Sequence, residues 1–355
     1  MPSVLVAMSG GVDSSVAACL LQEQGYDVMG SHMSLVHLDG VEHGCCGPAA
    51  RADAAEVARI AGFPFEICDL TEEFRERVID DFVAEHADGR TPNPCSRCNG
   101  EIKFGAFLRR ADALGIDMVA SGHYVRRAGD AAGWRLLRGV DHAKDQSYML
   151  HMLGQGALAR SLFPVGELPK AETRALAERF GLSVATKPDS QELCFAPSGD
   201  AGAYARANLP HLVRGGDVVD PAGAVIGRHE GASSFTIGQR RGTGVATGER
   251  RYVVDIEPNA NRVVVGAIEL LDRRGLVADR FSWIAGEPPG ECPFEADVRI
   301  RSHGDDMPCV AEPLGDDRVR IEFRAPQRAV APGQSAVLYV GEEVLGGGRI
   351  VEAIR

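Results

Sequence analysis

Residues 4–15 read Val-Leu-Val-Ala-Met-Ser-Gly-Gly-Val-Asp-Ser-Ser, an apolar run that passes through two glycines into a helix-forming segment. A strand, a glycine turn and a helix N-terminus form an anion site, because backbone N–H groups point outward there and the helix dipole favours negative charge. Gly10 and Gly11 let the backbone approach a phosphate closely, and the neighbouring serines add hydroxyl donors. An ordinary polar turn is the alternative. The predicted phosphate cradle comprises Ala7, Met8, Ser9, Gly10, Gly11, Val12, Asp13 and Ser14.

Asp13 adds a negative charge to this cradle, which suits a phosphate site if the carboxylate holds a Mg²⁺ ion that itself binds phosphate. The segment lacks the G-x-x-x-x-G-K-[ST] pattern, so it is not the kinase-type P-loop. It is similar to the pyrophosphatase loop (PP-loop) of adenylating enzymes, which split ATP into AMP and pyrophosphate. We therefore predict ATP and Mg²⁺ as ligands.

Length and composition indicate a soluble protein of two or three domains, with 355 residues, 45% hydrophobic and 25% charged. The sequence contains no long apolar run and does not begin with a signal-peptide pattern, so we expect a cytoplasmic location. The nine cysteines are then expected to be thiols, metal ligands or catalysts rather than a disulfide framework. The net charge of -12 argues against a general nucleic-acid binder but leaves room for a local basic face.

Residues 1 to about 125 alternate between strand and helix patterns. After the first strand and helix, strands are predicted over Tyr26–Met33, Phe65–Cys68 and Met118–Ala120, and helices over Ala49–Ala61, Thr71–His86 and Ile102–Ala113. Repeated units of this kind predict an α/β fold with a doubly wound parallel sheet, whose ligands bind at the carboxyl ends of the strands. Met33 and Gly122 fall at such ends, beside the predicted cradle.

The pattern changes after residue 125. We predict a short strand over Trp134–Val140, helices over Ser147–Gly154 and Lys170–Phe180, and a hairpin that pairs Tyr252–Ile256 with Arg262–Val265. Short alternating runs follow at Ala296–Arg301, Arg318–Phe323, Ala336–Val340 and Gly348–Glu352, and together they predict a small closed β-barrel. The predicted domains are 1–200 for ATP binding and catalysis, 201–270 as a small central domain, and 271–355 as the C-terminal β-barrel.

Three cysteines stand in sequence contexts suited to chemistry. Cys95 and Cys98 form a C-x-x-C pair in a predicted loop between two helices, where Arg97 favours thiolate, and Cys194 lies in a polar loop. The pair could be half of a zinc site completed by Cys45-Cys46 or Cys194. Alternatively the cysteines are passive, or they are reactive thiols that transfer sulfur or hold an iron–sulfur cluster.

Six motifs in the same order make the chain resemble the bacterial tRNA-specific 2-thiouridylases over nearly its full length. They are Ala7–Ser14, Thr91–Asn99 continued by Glu101–Gly105, Ser121–Tyr124, Lys144–Tyr148, Asp189–Phe195 and Phe235–Gly242. Two positions depart from the family pattern. Cys95 stands where some members carry Asp, and Arg301-Ser302 stands where an Arg–aromatic pair is expected.

The resemblance implies an ATP-dependent 2-thiolation of the wobble uridine, position 34 of tRNA. ATP would adenylate the C2 oxygen, pyrophosphate would leave, and sulfur would displace AMP. Asp13, Cys98 and Cys194 would be catalytic, with Cys194 carrying a persulfide, and Met33 and Gly122 would line the adenosine. The persulfide could attack C2 directly, followed by a Cys98–Cys194 disulfide, or Cys98 could first release hydrosulfide. Two thiols 96 positions apart would have to meet, so we expect the Cys194 loop to move.

A different sulfur carrier is an alternative with the same substrate. Cys95, Cys98 and Cys194 could hold a [4Fe–4S] cluster by three irons and leave the fourth iron open for sulfide.

The resemblance also implies contacts to tRNA, since the target base must leave the anticodon stack. Asn93, Pro94 and Cys95 would contact the target base. Further tRNA contacts would come from His123, Lys144, Asp145, Gln146, Arg301, Ser302 and Gln334. The expected substrates are the tRNAs for Lys, Glu and Gln, and the expected sulfur donor is a cysteine desulfurase or a sulfur-relay protein.

Two other functions compete with this hypothesis. A small-molecule adenylating synthetase would use the same ATP loop but would not need distant paired thiols or a β-barrel. A zinc-stapled RNA-binding protein would bind zinc at the cysteines and would not turn over ATP.

Overall fold

The computed structural model describes residues 1–36, 47–189, 193–196, 204, 214–245 and 249–355. The Cys45-Cys46 pair and residues 190–192 of the Cys194 motif lie outside these ranges. Helices are concentrated in the N-terminal half and strands in the C-terminal half. The helices are α1 (Val12–Glu23), α2 (Pro48–Ala61), α3 (Thr71–Phe74), α4 (Asp80–Ala87), α5 (Pro94–Cys98), α6 (Phe107–Leu114), α7 (Gln155–Ala159) and α8 (Lys170–Arg179).

Five parallel strands form the N-terminal sheet in the order β3-β2-β1-β4-β7. These strands are β1 (Ser3–Ala7), β2 (Asp27–Ser34), β3 (Phe65–Asp69), β4 (Met118–Ser121) and β7 (Ser161–Leu162). Alternate residues of β1 point to opposite faces. Val4 and Val6 pack among residues of α1, α2 and α8. Leu5 and Ala7 pack against α6 and the barrel. The predicted doubly wound parallel sheet is therefore confirmed.

Two helical runs contain π-helical segments, and one of them departs from its predicted start. A π-helical segment, Arg75–Ile79, joins α3 to α4, and another, Asn99–Ala106, joins α5 to α6. The second run therefore begins at Pro94, eight residues before the predicted start. Gly62 and Gly115 end α2 and α6 in the left-handed region, with φ of 78° and 69°, as glycine allows without strain.

The C-terminal strands close into a barrel of six strands in the order β12-β15-β14-β13-β16-β17, because β17 also pairs with β12. The strands are β12 (Asp272–Trp283), β13 (Phe294–Arg299), β14 (Met307–Gly315), β15 (Arg318–Arg328), β16 (Ser335–Val340) and β17 (Glu343–Ile354). The predicted barrel is confirmed, although β12 and β14 were not among the predicted runs. Closure removes exposed sheet edges.

A hairpin from the N-terminal half extends this barrel sheet. It consists of β5 (Val125–Asp130) and β6 (Gly133–Arg138), and β6 pairs with β17 through Leu136 and Leu137. The central domain has a separate four-stranded sheet in the order β10-β11-β8-β9, from β8 (Gly216–Val219), β9 (Val225–His229), β10 (Tyr252–Glu257) and β11 (Arg262–Gly266). The predicted antiparallel hairpin of β10 and β11 is confirmed.

Candidate active site

The glycine turn after β1 is held by its own serines. The Ser14 hydroxyl accepts the Ser9 N–H at 3.2 Å, and the Ser14 and Ser15 hydroxyls lie 3.2 and 2.8 Å from the Gly11 carbonyl oxygen, to which they donate. Gly10 has φ of 71°, and a Cβ there would lie 2.1 Å from the Ala50 carbonyl oxygen. The turn is therefore fixed between the first turns of α1 and α2, with several donors grouped at a helix N-terminus.

The carboxyl end of β4 packs directly on this turn. A Cβ on Gly122 would lie 2.5 Å from the Ser14 nitrogen, so glycine is needed for this approach. Met33 lies at the carboxyl end of the neighbouring strand β2, where it pairs in register with Cys68. The sheet thus brings the predicted cradle, Met33 and Gly122 to one edge.

Asp13 is held by two side chains that the sequence did not suggest, and a third supports one of them. The Lys170 ammonium donates to its two carboxylate oxygens at 2.6 and 2.8 Å, and the Tyr124 hydroxyl donates at 2.8 Å. The Tyr124 oxygen also lies 3.0 Å from the Thr173 hydroxyl. Burial, together with the Asp13 charge, raises the pKa of Tyr124, so the phenol stays a hydrogen-bond donor at neutral pH.

A second carboxylate, Asp189, shares the same ammonium. Lys170 lies 2.8 Å from Asp189, Lys144 lies 2.9 Å from it, and Arg174 lies 3.1 Å from it. Burial opposes ionisation of Asp189, but the hydrogen bonds from Lys170 and Lys144 outweigh it and lower the pKa of Asp189 to about 2. Asp189 is therefore charged at neutral pH.

Lys187 gives the nucleotide loop another positive group. Its ammonium donates to the Gly10 carbonyl oxygen at 3.0 Å and to Asp53 at 2.6 Å. Three lysines and Arg174 therefore lie near the loop, each paired with a carboxylate, although the net charge of the whole chain is negative. A polyphosphate fits such a site.

The C-x-x-C pair lies on helix α5, so its predicted place in a loop is wrong. Asn93 caps this helix by accepting the Ser96 N–H at 3.2 Å, and Pro94 occupies the first turn. Both residue types are typical of a helix start. Cys95 is exposed and Cys98 is buried. The cysteine pair thus stands in the N-terminal turn of a helix.

Cys194 lies in a segment that packs onto this helical layer. Phe195 and Ala196 belong to the same buried cluster as Cys98, and the Phe195 ring lies 5.0 Å from that of Phe82. Cys95 is exposed as a residue, but burial of its thiol raises the pKa of the thiol. The charge of nearby Cys194 also raises this pKa, and the charge of Lys103 lowers it. The fold therefore brings the two distant parts of the chain together without tRNA.

The described side chains hold no preformed site for a single metal ion. Among the residues that the structure describes, no three Cys, His, Asp or Glu side chains gather closely enough to hold a metal ion. Cys95, Cys98 and Cys194 lie within the described residues, so these three thiols do not form a preformed single-ion site. The Asp13 carboxylate is occupied by the Lys170 ammonium, which repels a Mg²⁺ ion at the same oxygens.

Several predicted tRNA-contact residues are buried or serve the domain junction. His123 is buried beside Phe104, and its Nδ1 lies 2.8 Å from the Ser121 hydroxyl. Burial, helped by the charge of Lys103, holds the pKa of His123 well below its usual value, so the ring is neutral. The Gln334 amide donates to the Thr91 carbonyl oxygen at 2.7 Å and so joins the barrel to the segment before Asn93.

The residues of the Lys-Asp-Gln segment, 144–146, differ in their exposure to solvent. The Asp145 side chain is 1% exposed, accepts the Ser147 hydroxyl at 2.8 Å and pairs with the Arg138 guanidinium at 3.6 Å. A side-chain contact from Asp145 to tRNA does not fit this burial, because it would break a buried ion pair. Gln146 accepts the Tyr124 N–H at 2.9 Å, and the Lys144 side chain is 37% exposed. Asp145 therefore fixes this segment against Arg138 and Ser147.

Arg301 and Ser302 stand apart from the other predicted residues. The Arg301 guanidinium donates to the carbonyl oxygens of Arg328 and Ala329 at 2.8 and 2.9 Å, and Ser302 lies beside His303. These contacts lie within the barrel and its following turn. The structure does not bring this pair to the C-x-x-C helix.

Lys170 and Asp189 are the principal site residues that sequence reasoning missed. Lys170 was assigned only to a helix, and Asp189 only to a motif. Asp13 lies 157 positions from Lys170, and Lys144 lies 45 positions from Asp189, so local spacing held no signal for either residue. The only local hints were the carboxylate that begins the Asp189–Phe195 motif and the lysine that follows Pro169.

Comparison with known proteins relates the whole chain to one family. The model described as "tRNA methyl transferase HUP domain" matches residues 2–198. The models for a "tRNA methyl transferase PRC-barrel domain" and an "Aminomethyltransferase beta-barrel domain" match residues 210–267 and 273–350. No helix in the described part of the chain has the length and apolar character needed to cross a bilayer.

The curated relatives are similar over nearly their full length. A protein named tRNA-specific 2-thiouridylase MnmA from Roseiflexus castenholzii is 46% identical over 369 residues, covering 99% of each chain. Proteins of the same name from Acidothermus cellulolyticus and Chloroflexus aggregans are each 47% identical, covering 99% of this chain and 98% of theirs.

Proposed function

The chain belongs to the tRNA-specific 2-thiouridylase family, and from this premise we propose that it replaces the C2 oxygen of the wobble uridine of tRNA with sulfur. The observation that carries the proposal is the packing of the Cys194 segment against the helix that bears Cys98. An ATP loop activates an oxygen, and two thiols near each other deliver sulfur. A small-molecule adenylating synthetase would not need this pair of thiols, so that alternative function is not favoured.

The nucleotide loop performs the first step. The backbone donors after β1 and the ammonium groups of Lys170 and Lys187 surround the triphosphate, while Met33 and Gly122 line the adenosine. The uridine C2 oxygen attacks the α-phosphate, the bond to the β-phosphate breaks, and pyrophosphate leaves. Fixed donors aimed at the phosphates stabilise the charge that develops there.

Two thiols perform the second step. The terminal sulfur of a Cys194 persulfide attacks C2, the C2–O bond breaks, and AMP leaves with that oxygen. The Cys98 thiolate then attacks Cys194 Sγ, and the electron pair of the broken S–S bond moves to the sulfur on C2. The products are 2-thiouridine and a Cys98–Cys194 disulfide, which an external thiol reductant returns to two thiols.

The proposed contacts to tRNA come from two segments of the chain. We propose that Asn93, Pro94 and Cys95 contact the flipped base, and that Lys144 contacts the tRNA backbone. The tRNAs for Lys, Glu and Gln are the expected substrates, and a cysteine desulfurase or a relay protein is the expected donor of sulfane sulfur. The family description that names methyl transfer is less suitable, because methyl transfer needs neither an ATP loop nor paired thiols.

A thiolation assay tests the proposal. Purified protein is incubated with ATP, Mg²⁺, unmodified tRNA and a sulfur source, and the nucleosides are analysed by mass spectrometry. We expect 2-thiouridine with AMP and pyrophosphate from the unmodified protein and from Cys292→Ser, an exposed cysteine in the C-terminal region. Cys194→Ser is expected to form none. ATP cleavage that leaves the tRNA unchanged would overturn the proposal.

A further inference from the structure

The two cysteines of helix α5 differ in their access to solvent. Cys95 is exposed, whereas Cys98 is 6% exposed and belongs to the buried cluster that includes Phe82 and Ile102. Both lie within the five residues of α5, three positions apart. C-x-x-C motifs are typical of proteins that exchange thiols and disulfides. The sulfur transfer proposed above uses Cys98 and leaves the Cys95 thiol without a chemical role.

The helix places Cys95 and Cys98 within the range of a disulfide. The rise and radius of an α-helix separate Cα atoms three positions apart by about 5 Å. Disulfides join cysteines whose Cα atoms are roughly 4.4–6.8 Å apart. A bond between these two cysteines is therefore local to α5.

A third thiol, that of Cys194, lies close to this pair. Its charge acts on the Cys95 thiol, and the neighbouring Phe195 and Ala196 pack in the same buried cluster as Cys98. A Cys98–Cys194 disulfide would form at this cluster, where an external reductant has poor access to the inner sulfur. Cys95 stands beside it at the surface, and access is one of the factors that set the rate of thiol–disulfide exchange.

Resting on the proposed function, we propose that Cys95 is a second resolving thiol, which moves the disulfide of the spent protein from Cys98–Cys194 to Cys95–Cys98. After the thiolated base leaves, the Cys95 thiolate attacks Cys98 Sγ. The Cys98–Cys194 bond breaks, and its electron pair leaves on Cys194 Sγ, which takes up a proton. One disulfide replaces another, so the step consumes no oxidant. Cys194 is again a thiol that can accept sulfane sulfur, and the exposed Cys95 presents the new disulfide to the reductant.

The charges around Cys95 are compatible with this direction of exchange. Burial of the Cys95 thiol raises its pKa, and a thiol of higher pKa is the stronger nucleophile once it ionises. The charge of Lys103 lowers the same pKa and so stabilises the attacking thiolate, while the charge of Cys194 opposes it. When Cys194 leaves as a thiolate, Cys95 is held in a neutral disulfide, so the repulsion between the two sulfur charges is removed.

Disulfide mapping during a single turnover tests the exchange. Protein with a persulfide on Cys194 receives ATP, Mg²⁺ and unmodified tRNA without reductant. Samples are acidified at successive times, thiols are alkylated with N-ethylmaleimide, and the disulfides are identified by mass spectrometry. We expect a Cys98–Cys194 disulfide directly after sulfur transfer and its loss as Cys95–Cys98 accumulates and Cys194 becomes alkylated. In Cys95→Ser the Cys98–Cys194 disulfide is expected to persist.

Cys292→Ser is the matched control, because it removes another exposed thiol and is expected to follow the time course of the unmodified protein. Equal midpoints of urea unfolding for the two Ser variants would exclude a general loss of stability. A Cys98–Cys194 disulfide that persists in the unmodified protein would overturn the proposal, and so would accumulation of a Cys95–Cys194 disulfide.

Oxidation by diamide without ATP or tRNA separates the exchange from the proposed function. One equivalent is expected to end in the same Cys95–Cys98 disulfide with Cys194 open to alkylation. If this occurs in protein that forms no 2-thiouridine, the function is refuted and the exchange stands. If 2-thiouridine forms but neither route yields Cys95–Cys98, the exchange is refuted and the function stands.

Discussion

At the scale of single residues, Asp13 owes its position to Tyr124. The Tyr124 hydroxyl donates to Asp13 at 2.8 Å, and the Thr173 hydroxyl is close enough to donate to it in turn. Tyr124 thus connects the nucleotide loop to helix α8, which supplies Lys170. A hydrogen bond to a charged group contributes about 1.5–3 kcal/mol.

Tyr124→Phe removes this hydroxyl and keeps the ring. We expect the KM for ATP to rise roughly tenfold, because the lost bond orients a charged residue at the loop. The measurement is pyrophosphate release at varied ATP concentration. Tyr252→Phe, in the central sheet, is the control and is expected to keep the original KM. An unchanged KM in Tyr124→Phe would show that Asp13 does not depend on this contact.

The residues of the cradle were predictable because they are contiguous. Ser9, Gly10 and Ser14 follow one strand, and strand–turn–helix geometry alone places their donors together. Lys170 and Asp189 were not predictable, since three separate segments must fold before their charges meet. The burial of the Asp145 side chain was not predictable for a related reason. It depends on ion pairs with Arg138 and Arg299, which belong to the barrel sheet.

At the scale of elements, the start of α5 shows a local signal that sequence reasoning overlooked. Asn93 followed by Pro94 is a common helix start, with a side-chain cap and a proline in the first turn. Because Cys95 and Cys98 are three positions apart on a helix, their side chains are neighbours on the helix surface.

The contact between β4 and α1 gives a prediction for these elements. Gly122→Ala would place a Cβ 2.5 Å from the Ser14 nitrogen, so α1 and its loop must shift. We expect a loss of about 1–3 kcal/mol in stability, as for other overpacked sites, together with weaker ATP binding. Urea unfolding and equilibrium binding of an ATP analogue measure the two effects.

Gly156→Ala is the matched control, because a Cβ at that position in α7 meets no atom within 4 Å. It is expected to leave ATP binding unchanged and to stabilise the protein slightly, since alanine favours the helix. Equal ATP binding by both variants would contradict the proposed fit of β4 against the loop.

At the scale of the whole molecule, the N-terminal half and the barrel share one sheet and a polar junction. The β5–β6 hairpin adds to β17, and the Arg349 guanidinium pairs with Glu85 of helix α4 and with Asp279 of the barrel. The pairing of β6 with β17 joins residues about two hundred positions apart, and sequence periodicity carries no information on such a partner. The existence of the barrel was predictable, but its extension was not.

Buried His151 makes this junction sensitive to pH. Its Nε2 lies 3.2 Å from the Ser335 hydroxyl of the barrel, and burial lowers the pKa of His151 from 6.5 to about 4. The unfolded chain therefore binds a proton at this site between pH 6.5 and 4, while the folded protein does not. Its contribution, on the order of 2–3 kcal/mol, is present above pH 6.5 and is lost as the pH falls towards 4.

His151→Gln is expected to weaken the fall in stability between pH 7 and pH 5, because glutamine does not titrate. His32, His86, His123 and His229 also have lowered pKa values, so part of the dependence persists in the variant. The midpoint of urea unfolding at the two pH values is the measurement. His142→Gln, at an exposed position, is expected to match the unmodified protein, and an equal slope for His151→Gln would contradict the assignment.

The most direct test of sulfur transfer is a single turnover of iron-free protein that carries ³⁵S persulfide on Cys194, with ATP, Mg²⁺ and unmodified tRNA under anaerobic conditions. The account predicts that the label moves to 2-thiouridine and that mass spectrometry finds a Cys98–Cys194 disulfide in the spent protein. Cys95→Ser is expected to retain the transfer. Thiolation only after iron loading, with Cys95→Ser as damaging as Cys194→Ser, would contradict the account and make an iron–sulfur cluster the sulfur carrier.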